Sequence, residues 1–280
     1  FEATREILGI CDGAGEDDLV ICLLSGGGSA LMSDLPSGLL PEEICLINNL
    51  LVRCGANISE INTVRKHLSE VKGGQLAGRV WPALFVNIMI SDVSGNIPEV
   101  IASGPAVPDP TTFRDAWEVL ERYNLLDDVT VGIKNLLRSG LEGNRPETPK
   151  PGDRIFDRTT NLLIGTNETA LNAAKSFAVD SGFDVQIVTD KLSGDAENVA
   201  EMIVDKAKSY KSNNEISKPL CLLYGGETTL RVTGHGLGGR NQHLALAAAL
   251  KLGDFPGITI LSAGKDGNDG PTDAAGAIVD

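Results

Sequence analysis

The sequence is poor in aromatics, which make up 4% of its 280 residues, and in histidine, of which it has three. It has no surplus of basic charge: 24 Lys and Arg stand against 38 Asp and Glu, a formal net charge of −14. A general nucleic-acid binder needs a basic face, so that class is excluded. An anionic small molecule stays compatible wherever a few Arg and Lys converge. No apolar run approaches the ~20 residues of a membrane span, and the opening residues, Phe1-Glu2-Ala3-Thr4-Arg5, lack the pattern of a signal peptide. The five cysteines (Cys11, Cys22, Cys45, Cys54, Cys221) form no C-x-x-C pair. They read as reduced core thiols of an intracellular, cytoplasmic protein, an organelle being the other location allowed. What the chain does have is 42% apolar residues and 32 glycines, which suits a loop-rich α/β architecture. Both ends stop in mid-pattern, a helix at Phe1, Ile7 and Leu8 and a strand at Ala277 to Val279, so the chain is expected to be trimmed relative to the complete protein.

Leu19 to Leu24 (LVICLL) reads as a buried parallel strand. It runs into Ser25-Gly26-Gly27-Gly28-Ser29 and then towards a helix. Glycines let backbone amides converge on a ligand, and a helix start adds the positive end of its dipole, so an anion site is expected here. The alternative is a tight strand–helix turn without a ligand. The stretch is neither a Walker loop nor a Gly-x-Ser-x-Gly elbow.

Pro41 to Cys54 has helical spacing, with Leu46, Leu50 and Leu51 on one face, and Ser59 is placed to cap a second helix through Leu68. That helix carries Asn62, Arg65 and Lys66; Ser69 lies one turn beyond Arg65, and Lys72-Gly73-Gly74 follows. The pattern fits either a solvated basic face or an anion clamp. Ala83 to Ile90 is a second buried strand and ends in Ser91-Asp92. An aspartate at the carboxyl end of a parallel strand sits where open α/β sheets bind ligands; Asp92 would hold a metal, accept a proton from a substrate hydroxyl, or cap a turn. Helices are expected over Phe113 to Tyr123 and Thr130 to Arg138, and a linker over Gly140 to Arg158. Beyond it the order is β-α-β-α-β, with strands at Asn161–Ile164, Val185–Val188 and Leu220–Tyr224, predicting parallel pairing.

A further glycine-rich stretch follows, Tyr224-Gly225-Gly226-Glu227, then Gly234-His235-Gly236-Leu237-Gly238-Gly239-Arg240-Asn241 and a helix through Leu252. Gly234, Gly236 and Gly239 match the dinucleotide spacing, but Thr228 to Thr233 alternates like a half-exposed strand, which counts against that reading. Arg240 and Asn241 at a helix start suit phosphate oxygens; the alternative for Arg240 is a plain surface residue. Asp266-Gly267-Asn268-Asp269 resembles part of a calcium loop, with Ala277 where the closing Glu belongs. Asp266 and Asp269 read instead as a carboxylate pair for Mg²⁺ or a substrate hydroxyl, or as turn-forming Asp-Gly units.

Five segments, LLSGGGSALM, INTVRKHLSEVKGGQLA, SDVSGN with IASGP, GGETTLRVTGHGLGGRNQ and DGNDGPTDAAGA, together resemble the class II glycerate kinases, the glycerate 2-kinases with a MOFRL-type carboxyl-terminal domain. The resemblance runs in family order over nearly the whole chain. It implies an α/β fold of two domains: a Rossmann-like three-layer sandwich over 1–145 and a smaller mixed-sheet MOFRL-type domain over 155–280. It implies ATP-dependent phosphorylation of D-glycerate to 2-phosphoglycerate in an interdomain cleft, with ATP and Mg²⁺ as cofactors and with glycerate and ATP as small-molecule partners. No nucleic acid or membrane is expected, and a homodimer is allowed. Asp92 and Arg240 match the family's catalytic aspartate and arginine. Ser25, Gly26, Gly27, Gly28, Ser29, Asn62, Arg65, Lys72, Gly225, Gly226, Glu227 and Asn241 are the substrate- or phosphate-binding candidates, and Asp266 and Asp269 the metal candidates. The chain departs from the family pattern at Asn96, His243 and Lys265, and it has no counterpart of a lysine in the family's amino-terminal segment. The competing readings are a hydroxypyruvate reductase using a nicotinamide cofactor and a non-catalytic binding relative.

Overall fold

The computed structural model describes residues 1–91, 95–213 and 218–280 and divides into two compact units, Phe1–Thr166 and Asn167–Asp280. The first unit runs α1 (Glu2–Asp12), β1 (Leu19–Leu24), α2 (Gly28–Leu31), α3 (Pro41–Arg53), α4 (Ile58–His67), α5 (Gln75–Val80), β2 (Leu84–Ile90), α6 (Phe113–Arg122), α7 (Val131–Leu141) and β3 (Thr159–Gly165). Its sheet is wholly parallel in the order β1-β2-β3, with Leu19 opposite Leu84 and Phe85 opposite Thr159. The α/β class expected from the sequence is what the chain adopts.

Helix ends follow local chemistry. Asn57 caps α4, its side chain accepting from the Ser59 and Glu60 amides at 3.0 Å, while Glu60 reaches back to the Asn57 amide. The cap is therefore Asn57 and not Ser59, because Asn57 keeps an extended backbone that aims its carbonyl oxygen at the first turn. Thr112 caps α6 with the same reciprocal pair through Asp115, and Thr130 caps α7 by accepting from the Ile133 amide. The helices α3, α4, α6 and α7 bury Ile47, Leu51, Val64, Phe113, Leu120, Ile133 and Leu137 in one core, and Val71, Leu76, Val80 and Phe85 form another beneath α5 and the sheet. Each such side chain contributes about 1.5–3 kcal/mol by leaving water. On α3 the inward face is Ile47 and Leu51; Leu46 is exposed, since the stripe follows the helical period and not the leucines.

Two expectations change. β1 is not buried on both faces: Leu19, Ile21 and Leu23 are exposed and only Leu24 is buried, as fits the outer strand of this unit's sheet. The stretch from Gly140 to Arg158 is not a divider, because β3 beyond it pairs with β2, so the division falls after Thr166. All five cysteines are free; Cys11 is buried, as expected, but Cys45 is exposed. Among the described residues no helix is long and apolar enough to cross a membrane.

The second unit runs α8 (Asn167–Asp180), β4 (Asp184–Asp195), α9 (Ala196–Asn213), β5 (Leu220–Thr229), α10 (Arg240–Leu252), β6 (Ile260–Ala263) and β7 (Gly276–Val279). β4 and β5 pair in parallel, and β6 and β7 in antiparallel. The core lies between α9 and α10, where Ala200, Val204, Leu244, Ala248 and Leu252 are buried.

Candidate active site

A cavity of about 330 Å³ opens in the first unit, lined on its polar side by Ser29, Asp34, Asn48, Arg65, Ser69 and Lys72 and on its apolar side by Ile44, Ile47, Leu51, Val64 and Leu68. The turn after α4 builds its basic corner. Ser69 donates to Asp34 Oδ1 (2.7 Å) and accepts from the Val71 and Lys72 amides (3.1 and 3.0 Å), while the second Asp34 oxygen accepts from the Glu70 amide. Gly74 ends the turn with φ +81°, and a Cβ there would lie 2.8 Å from the Val107 carbonyl oxygen, so only glycine lets the chain pass. Lys72 is thereby turned inward: its Nζ donates to the Met32 carbonyl at 3.2 Å and lies 3.7 Å from Asp34. Burial pushes the Lys72 pKa below its ordinary 10.5, a drop that the Arg65 charge deepens and Asp34 opposes.

Arg65 faces the same cavity from α4. Its Nε donates to Asn48 Oδ1 at 2.6 Å, a neutral partner. The wall therefore carries two cations, Arg65 and Lys72, and one carboxylate, Asp34. One positive charge is left uncompensated at the edge of an apolar floor, which is the electrostatic signature of a site for a monoanion. Behind it, Ser29 donates to Ser103 (3.0 Å), which donates to Asn62 Oδ1 (3.2 Å). Ala102 and Ser103 hold left-handed backbone at φ +48° and +61°. Such conformations cost about 1–3 kcal/mol each and persist where a site demands them.

Of the residues singled out in the sequence, Ser29, Arg65 and Lys72 line this cavity, and Asn62 lies behind it, joined to Ser29 through Ser103. Ser25 and Gly26 are exposed and Gly28 half-buried. Gly27 begins α2 at φ +79°, but α2 is one turn long, too short for the helix dipole expected there. Asp92 lies outside the described residues. Two residues that sequence reasoning missed, Asp34 and Asn48, line the cavity, and a third, Ser103, backs it through its hydrogen bond with Ser29. Asn48 left a faint signal, as one of two asparagines, Asn48 and Asn49, that interrupt the apolar run from Ile44 to Leu51.

In the second unit, Arg240 opens α10 and its Nη2 lies 3.1 Å from Glu227 Oε1, both side chains being partly exposed. Gly225, Gly226 and Glu227 are not a loop but the continuation of β5, with Gly226 opposite Leu192 and Glu227 opposite Ser193 on β4. β5 ends at Thr229, and residues 230–233 form no strand, so Gly234, Gly236 and Gly239 do not follow a strand directly as a dinucleotide loop would. Asp269 is buried and accepts from the amides of Asn241 (3.0 Å) and Gln242 (2.8 Å), capping α10; although burial pushes its pKa up, those hydrogen bonds hold it below the usual 3.8. Asn241 also spends its side chain on Asp269 and Ser262. Asp266 is exposed. With one carboxylate committed to a helix end, Asp266 and Asp269 do not fit a metal-binding pair, and among the described residues no group of three His, Cys, Asp or Glu could hold a metal.

The chain is thus a parallel-sheet α/β unit that carries a polar cavity, followed in sequence by a second α/β unit. Residues 1–138 match the model described as a domain of unknown function (DUF4147), and residues 220–280 match the MOFRL family. A D-glycerate 2-kinase of Thermotoga maritima is 44% identical over all of this chain and 64% of its own length, and a crystal structure of glycerate kinase from that organism superposes with a TM-score of 0.85 at 43% identity, over 100% of this chain and 64% of the other. A glycerate kinase of Macaca fascicularis is 34% identical over 100% of this chain and 79% of its own. An Agrobacterium vitis relative, 38% identical over 99% of this chain and 70% of its own, is named putative hydroxypyruvate reductase. The chain belongs to the MOFRL-type glycerate kinase family. It spans 64% of the length of the Thermotoga relative.

Proposed function

We propose that the protein is a glycerate 2-kinase, transferring the γ-phosphoryl group of ATP to the C2 hydroxyl of D-glycerate. The observation that carries this reading is the uncompensated positive charge of the Arg65–Lys72 pocket, matched by a substrate with one carboxylate. Phosphoryl transfer asks a protein mainly for positioning and charge stabilisation. Arg65 and Lys72 hold the acid end. Asp92 takes the proton as the hydroxyl oxygen attacks phosphorus and the bond to the ADP oxygen breaks. Arg240, whose fork grips two oxygens at once, serves the charge that spreads over the phosphoryl group. Mg²⁺ accompanies ATP in such reactions and neutralises phosphate charge; no step here is routed through Asp266 or Asp269.

The test is ATP consumption with D-glycerate, with ³¹P NMR assigning the phosphate to C2. Oxidation of a reduced nicotinamide by hydroxypyruvate, with no ATP-dependent turnover of glycerate, would overturn the reading in favour of a reductase. Binding of ATP and glycerate by calorimetry without turnover would indicate a non-catalytic relative. Arg240→Lys keeps the charge and loses the fork, so it should lower kcat by about tenfold or more with little change in the KM for glycerate; Arg240→Ala should damage both. Unchanged kinetics for Arg240→Ala would remove that residue from the mechanism.

A further inference from the structure

We propose that Asn48 is a positioning residue, acting through Arg65 to hold the guanidinium fork at the angle that receives a substrate carboxylate without cancelling its charge. The inference rests on the glycerate reading above for its ligand, not for its geometry.

Asn48 sits on α3 and Arg65 on α4. The Asn48 amide is fixed in one sense: its Nδ2 donates to the Ile44 carbonyl at 2.8 Å, which turns Oδ1 towards Arg65 Nε at 2.6 Å. Arginine presents five donors in a rigid plane, and Nε supplies one of them. Fixing Nε fixes the plane, while the four donors on Nη1 and Nη2 have no partner among the described residues. Those two nitrogens form the end-on fork that matches a carboxylate with two parallel hydrogen bonds. An aspartate at position 48 would still accept from Arg65 Nε, though without the donation to Ile44, and would neutralise the guanidinium. An aliphatic residue would leave the charge and lose the orientation. Asparagine does what neither does, and the Asp34 carboxylate, committed to Ser69, Glu70 and Lys72, leaves Arg65 as the unneutralised cation. The site should therefore discriminate for carboxylates against neutral polyols of the same shape.

Two variants separate the two parts of the role. Asn48→Leu should raise the KM for D-glycerate by about tenfold, as for loss of a hydrogen bond to a charged group, with kcat and the KM for ATP within about twofold. Asn48→Asp should raise it by about a hundredfold while keeping Arg65 ordered, because a second carboxylate now competes for the fork. NMR of the Arg65 Nε–Hε group, assigned by its loss in Arg65→Lys, should show a protected proton in the wild type and Asn48→Asp but not in Asn48→Leu. Should Asn48→Leu fail to fold, the isosteric Asn48→Asp carries the test alone.

Calorimetry without ATP keeps the two proposals distinguishable, with D-glycerate as the acid probe and glycerol as its neutral counterpart. Glycerate binding that is lost in Asn48→Asp, in a protein that transfers no phosphoryl group, would sink the kinase reading and keep this one. Turnover with glycerate constants within twofold of wild type in both variants would sink this one and keep the kinase. An equal loss for glycerate and ATP would make Asn48 a merely structural residue and overturn the proposal, as would glycerol binding as tightly as glycerate.

Discussion

Lys66 and Lys72 lie six residues apart around the end of α4, both are buried, and each meets an aspartate. Their surroundings differ. Lys66 Nζ lies 3.3 Å from Asp109, whose oxygens also accept from Thr111 and Thr148, and His67 completes the cluster: its Nδ1 bonds the Thr63 carbonyl, its Nε2 lies 3.3 Å from Glu147, and its ring meets Phe113 edge-on. Each charge there has an opposite neighbour within 3.3 Å. Lys72 pairs with Asp34 at 3.7 Å but shares a 330 Å³ cavity with Arg65, which has only a neutral partner. An ion pair by itself thus says little about function. Unbalanced charge beside open volume is what separates a binding site from a clamp.

The comparison breaks most visibly at Asp109. Asp109→Asn leaves Lys66 buried without a counter-charge, and removing one partner of a buried pair costs about 3–5 kcal/mol. Chemical denaturation should show that loss, while glycerate affinity in the surviving folded fraction stays near wild type. If affinity falls as far as stability, the cluster is part of the site after all.

Lys72→Met should do the reverse. Asp34 keeps its hydrogen bonds from Ser69 and Glu70, so the melting temperature should move much less than for Asp109→Asn. The value of kcat/KM for glycerate should fall by about a hundredfold, since the anion loses one of its two cations. A variant with wild-type kinetics would show that Lys72 only braces the turn.

A smaller effect is expected at Thr148, which donates to Asp109 at 3.0 Å and is buried. Thr148→Val leaves a buried acceptor short of one donor, at a cost of about 1–3 kcal/mol, with kinetics unchanged. Stability measured by urea titration checks it.

The subtlest contrast is with pH. Burial raises the Asp109 pKa, but Lys66, the Thr111 hydrogen bonds and His67 outweigh it and hold the group below 3.8. Its contribution to stability is therefore complete above pH 3.8 and is lost as pH falls through the folded value. Lys72 has a folded pKa below 10.5, so on the alkaline side the folded protein releases that proton before the unfolded chain does. Across that window stability gains from this group as pH rises, while glycerate affinity falls because the cation disappears. Calorimetric titration with glycerate between neutral pH and 10.5 should show the fall, and Lys72→Met should abolish that dependence.

Much of this was legible in the sequence because it is local. Capped, periodic helices such as α3, α6 and α10 lie within a few residues of where spacing puts them, and Asn62, Arg65, Ser69 and Lys72 share a face and the turn that follows it by helical arithmetic. The five motifs in order also carried the family. Other features depend on partners distant in sequence. β3 reads as the first strand after a linker, yet it belongs to the first sheet because its edge pairs with β2, more than 60 residues earlier. Asp269 reads as a metal ligand until α10, 28 residues back, is found to begin on it.

The sequence by itself determined the α/β class, the helices, the strand-end glycines and the membership of a kinase family, because spacing, capping and composition act over a few residues. Only the tertiary structure decided which charges are spent and which are free. Asp34 and Asn48 enter the pocket from separate stretches, Ser103 backs it through Ser29, and Asp269 leaves the list of metal candidates because its carboxylate is spent on the start of α10. A side chain's role depends on which opposite charges and hydrogen-bond partners folding brings within about 3 Å, and on whether water or protein fills the remaining space.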